Sequence, residues 1–111
     1  MKLEVGMFVR TETGKIGKIT NFDGNMARID TDKFITYKSF NNELTKASYN
    51  IIDIIEVGDY VNGDKVIYTN DGYVEVGEEN DNIGFTSDKF IKSIVTKEQF
   101  ESMQYRVGSE E

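Results

Sequence analysis

The chain carries nearly the same hexapeptide twice, EVGMFV at residues 4–9 and EVGDYV at residues 56–61, 52 positions apart. Two further landmarks recur in the same order: TNFDG at 20–24 answers TNDG at 69–72, and TDKFI at 31–35 answers SDKFI at 87–91. Three matches in one order indicate duplication of a single unit of roughly fifty residues. The 111 residues are therefore expected to form two small units, residues 1–48 and 49–111, with no room for a third. The last spacing differs: eight positions from Gly24 to Asp32, sixteen from Gly72 to Asp88. Length variation of this kind belongs in loops, so the second copy is expected to carry an inserted acidic loop, VGEENDNIG.

Each landmark has a conformational reading. Gly6 and Gly58 suit a tight turn ahead of a strand whose Val9 or Val61 points into a core. KITNFDGNMARID and VIYTNDGYVEV place Asp-Gly between β-branched and aromatic runs, a strong hairpin signal. DKFI reads as a further strand, and NIIDII (50–55) and FIKSIV (90–95) read as closing strands, with Ile51, Ile52, Ile54 and Ile55 buried between the units. SFNNELTKAS (39–48) reads as a polar connector with helical character. Proline is absent, and the one clear helix is TKEQFESM near 96–103, where Thr96 and Gln99 form a capping box. YRV beyond it is expected to return as a strand and GSEE to fray. The fold class is thus mostly β: two tandem small antiparallel barrels packed together, with one short C-terminal helix.

The pattern G-x-[FY]-V, followed by a charged glycine-bearing loop and Asp-Gly hairpins, resembles the opening of SH3-like barrels. YNIIDIIEVGDYVNGDKVI together with IKSIVTKEQFESMQYRV resembles small proteins encoded by phages and prophages of Gram-positive bacteria. The resemblance implies an accessory, non-structural phage product of the kind that includes anti-CRISPR and other anti-defence inhibitors. It brings no catalytic residues.

Composition narrows the chemistry. With 20 acidic and 13 basic residues the formal charge is −7, which disfavours direct nucleic-acid binding. Cysteine and histidine are both absent, removing thiolate nucleophiles, the usual zinc ligands and the commonest general base. No cofactor is implied. An enzyme would rest on paired carboxylates such as Asp53 and Asp59, without a motif to support them. No apolar run approaches a membrane span, so a cytoplasmic location, in the host cell if phage-encoded, is expected.

Candidate binding residues fall into two groups. Glu78, Glu79 and Asp81 on the acidic loop would meet a basic protein that handles nucleic acid; with spacing unlike a calcium loop, they read as solvated carboxylates and not a metal site. Arg10, Lys15, Lys18 and Arg28 alternate on neighbouring strands and, with Tyr37 and Tyr49, form a possible aromatic and basic face for an anionic, nucleotide-like small molecule. Of seven Phe and six Tyr, the expected core members are Phe8, Phe34, Tyr60, Phe85 and Phe90. Tyr37, Phe40, Tyr49, Tyr68 and Tyr73 are left to seal the units together or to face a partner.

Overall fold

The computed structural model describes residues 2–39, 42–78, 81–104 and 107. The expectations for Phe40, Glu79, the YRV strand and the GSEE tail fall wholly or partly outside them. The fold is mostly β. Strands β1 (Phe8–Thr11), β2 (Ile16–Asp23), β3 (Met26–Asp30), β4 (Ile35–Ser39) and β5 (Leu44–Ser48) form one antiparallel sheet in the order β4-β3-β2-β1-β5. Strands β6 (Tyr60–Val61), β7 (Asp64–Asn70), β8 (Tyr73–Glu78), β9 (Asp81–Ser87) and β10 (Ile94–Val95) form the second in the order β10-β6-β7-β8-β9, and helix α1 (Lys97–Ser102) follows. In both sheets four strands meander and the fifth returns beside the first.

The duplication reaches the backbone hydrogen bonds. Gly6 N donates to Ile19 O and Ile19 N to Met7 O; Gly58 N donates to Val66 O and Val66 N to Asp59 O. Met7 and Asp59 are therefore equivalent, as are Ile19 and Val66. A bulge follows each of the latter, between Ile19 and Asn21 and between Val66 and Tyr68, so even the local break in pairing is repeated. Both Asp-Gly hairpins form, with Gly24 at φ 63° and Gly72 at φ 84°, the left-handed region that their turns require.

The third landmark misaligns. In the first copy Thr31 Oγ1 accepts from the N–H groups of Lys33 and Phe34, so TDKF makes the turn that leads into β4. In the second, DKF is a 3-10 turn lying after β9. The longer spacing contains a whole strand, β9, where an acidic loop was expected. Other boundaries also shift. NIIDII forms a 3-10 helix over Ile51–Ile54, and only Ile94–Val95 of FIKSIV is strand. The supposed helical connector supplies β5, whose pairing satisfies the otherwise open side of β1.

The cores are aliphatic. Val9, Ile19, Ala27, Ile29 and Leu44 fill the first, and Ile52, Ile55, Val61, Val66, Val74 and Val76 the second. Ile54 is also fully buried, while Ile51 is half-buried. The assignment of five aromatics to the core is corrected: Phe34, Phe85 and Phe90 are exposed, and Phe8 and Tyr60 half-buried. Period two gives the reason, since Phe8 adjoins the buried Val9 and Tyr60 the buried Val61, and neighbours on a strand face opposite ways.

Helix α1 docks on the first unit through its cap. Thr96 Oγ1 accepts from Gln99 N and donates to Gly14 O at 2.7 Å, while Gln99 Oε1 accepts from Thr96 N. This is the expected capping box, with the hydroxyl shared across 82 residues of sequence. A Cβ on Gly14 (φ +86°) would lie 2.5 Å from Thr96 Oγ1, whereas one on Gly72 (φ +84°) would meet nothing within 4 Å. Gly72→Ala should therefore cost only the left-handed strain, about 1–2 kcal/mol. Gly14→Ala should cost measurably more, because α1 must also move. Equal losses in urea unfolding would mean that the approach of α1 to Gly14 carries no energy.

Candidate functional site

Arg10, expected on an exposed basic face, is buried. Its side chain is 1% exposed and crosses from β1 to the second unit. Nη1 donates to Asp59 Oδ2 at 2.6 Å and to Ile54 O, and Nη2 donates to Asp59 Oδ1 at 2.9 Å and to Glu98 Oε1 at 2.7 Å. Asp59, fully buried, also accepts from the backbone N–H groups of Glu56 and Lys97. Every lone-pair position of its carboxylate is then occupied, which removes the suggested Asp53/Asp59 acid–base pair as a working arrangement. Asp53 itself accepts from Ser48 Oγ.

The surrounding charges reinforce the junction. Burial alone would lower the pKa of Arg10, but the hydrogen bonds and charges of Asp59, Glu98 and Glu56 raise it, so the guanidinium stays charged. Burial would raise Glu56; the hydrogen bond from Lys97 and the charges of Arg10 and Lys46 outweigh it and hold this carboxyl below its ordinary 4.5. Lys97, 2.7 Å from Glu56, is correspondingly raised.

Of the rest of that group, Lys18, Arg28 and Tyr37 share the outer face of the first sheet, while Lys15 precedes β2 with its ammonium over the Phe34 ring. Lys18 lies opposite Asp30 in β3 and places its ammonium 4.8 Å from the centre of the Phe8 ring. Arg28 pairs with Asp30 and lies opposite the exposed Tyr37. Tyr49 is set apart beyond β5, where its hydroxyl donates to Glu4, the hydrogen bond that raises its pKa.

The acidic group has a more coherent setting. Glu78 ends β8, Asp81 begins β9, and the two are in register, while Glu79 lies outside the described residues. Gly77, at φ 123°, sits in the bulge that precedes them. Behind this tip, Tyr68, Glu75 and Phe85 form one cross-strand row over β7, β8 and β9, on the face opposite the buried Val74 and Val76. Phe85 is 68% exposed and packs edge-on against Tyr73 with ring centres 5.7 Å apart; Tyr68 and Ile83 are also exposed. Sequence reasoning left Tyr68 and Tyr73 either to seal the units together or to face a partner, assigned the exposed Phe85 to the core, and did not single out Ile83. The signal available was their alternation along β9, hidden because that segment reads as a loop.

Among the described residues no helix is long and apolar enough to cross a membrane. Comparison of the chain with protein-family models, curated proteins and solved structures finds no match.

Two outcomes follow from the junction. Arg10→Ala should destabilise the protein by about 3–5 kcal/mol, because Asp59 keeps a buried charge without its partner. Arg10→Ala combined with Asp59→Asn should lose less than Arg10→Ala alone, as read by chemical denaturation, because the amide removes the unpaired buried charge while its oxygen still accepts from a backbone N–H. The lowered carboxyl of Glu56 stabilises the fold fully above pH 4.5, its ordinary value, and that contribution disappears as pH falls through the lower folded-state value. Glu56→Gln should thus flatten the acid limb of the stability–pH curve, and an unchanged limb would assign acid sensitivity to other carboxylates.

Proposed function

We propose that the protein works by binding and not by catalysis, and that the outer face of β7–β9 docks on a basic surface of a protein that handles nucleic acid. The carrying observation is the row Tyr68–Glu75–Phe85, two exposed aromatic side chains flanking a carboxylate across three paired strands, with Glu78 exposed at the end of β8. Aromatic side chains supply contact area with little rotamer entropy to lose, and carboxylates complement a surface built to hold phosphate. The net charge of −7 steers the same encounter at long range. The occupied lone pairs of Asp59 and the absence of Cys and His from the sequence support a non-enzymatic reading. With the resemblance to phage accessory proteins, the reading becomes an anti-defence inhibitor acting in the host cytoplasm, whose partner loses access to its nucleic acid.

The test is capture from a Gram-positive lysate, followed by assay of the captured protein's nucleic-acid binding. The captured protein should be basic, should elute as salt is raised, and should lose nucleic acid when the inhibitor is added. Glu75→Lys with Glu78→Lys, and separately Phe85→Ala, should abolish capture without lowering the melting temperature, since all three positions are on the solvent face. Undiminished capture by both variants would refute the β7–β9 face as the site. A partner whose nucleic-acid binding is unaffected would refute inhibition.

A further inference from the structure

A second feature lies between the two units, independent of the β7–β9 face. Phe8, Lys15 and Phe34 of the first unit face Lys92, Ile94 and Met103 of the second across a cavity of about 890 Å³. That volume falls within the range of small-molecule sites. Its charge is unlike that of the whole chain: Lys15, Lys33 and Lys92 line it against a single carboxylate, Asp32. Among the described residues none of these three lysines makes an ion pair, whereas Lys38, Lys46 and Lys97 are each held by a glutamate. A protein with 20 acidic and 13 basic residues has carboxylates to spare, yet leaves these ammonium groups unmatched around one concavity.

The walls are aromatic and apolar beside the cations. Phe34 is 46% exposed and has Lys15 Nζ 5.3 Å from its ring centre. Phe8 holds Lys18 in the same way at 4.8 Å. Gln99 also lines the cavity, and with its Oε1 committed to Thr96 N its NH₂ group remains as a donor. Planar aromatic surface, unmatched ammonium groups and an amide donor are together the elements that recognise an aromatic ring bearing an anion. We infer that this groove binds a mononucleotide, its base against Phe34 and its phosphate among Lys15, Lys33 and Lys92. A bare anion would leave the aromatic wall unused, and an uncharged nucleoside would leave the lysines unmatched.

Titration of the intact protein with AMP, GMP, CMP and UMP, followed by calorimetry, tests this. At least one nucleotide should bind in the millimolar range or tighter, and its nucleoside and inorganic phosphate should each bind at least about tenfold more weakly. Lys33→Gln and Lys92→Gln, both at exposed positions, should each weaken the nucleotide by about tenfold with unchanged melting temperature. Phe34→Ala should weaken the nucleotide and leave phosphate binding unaltered. Failure of all four nucleotides to bind would overturn the inference. So would binding indifferent to both lysine changes, or a nucleoside that binds as well as its nucleotide.

Discussion

The bidentate contact between Arg10 and Asp59 sets how the two sheets meet. Its two residues occupy the places where the duplicated segments differ most in chemistry. The hydrogen-bond equivalence sets Met7 against Asp59, and the aligned hexapeptides set Arg10 against Asn62. Two identical copies would offer each other like groups at like positions. One copy carries the cation and the other the anion, which makes their contact directional. A buried ion pair of this kind contributes little net stability over an apolar substitute, because desolvation offsets much of the Coulomb gain. Its effect lies in register: Asp59 also receives Lys97 N and so fixes where α1 begins. Asn62 shows the complementary adaptation. Standing where Arg10 stands in the first copy, it takes positive φ, and its side chain bonds Phe90 O and the N–H groups of Lys92 and Ser93. It thereby organises the segment before β10.

What could be read from the sequence depended on whether the signal was local. The Asp-Gly turns, the capping box of Thr96 and Gln99, and the burial of Val9 and Val61 all follow from residues within a few positions of each other, and all are present. Strand β5 could not be read this way, since Leu44–Ser48 is stabilised by pairing with β1, more than thirty residues earlier. The DKFI match misled because four identical residues serve as a turn before the fourth strand in one copy and as a 3-10 turn after it in the other. Arg10 presents the same difficulty at the site. Nothing near it in sequence announces that its partners are 49 and 88 residues away.

The ion network also sorts the charge that remains. Glu56, Asp59 and Glu98 are drawn to Arg10, Lys46 and Lys97 at the junction. The β8–β9 hairpin, whose strand β9 accounts for the longer spacing of the second copy, carries Glu75 and Glu78 on β8, and three lysines that make no ion pair among the described residues, Lys15, Lys33 and Lys92, line the groove beside the junction. The groove is made by residues of both units, so whatever binds there bears on how they are held together. Arg10 and Asp59, through Glu98 and Lys97, hold α1 at one wall of that groove, where Gln99 and Met103 face the cavity. Any loosening of the junction would then reach the groove through α1 before it reached the β7–β9 face, whose strands are fixed by pairing within their own sheet.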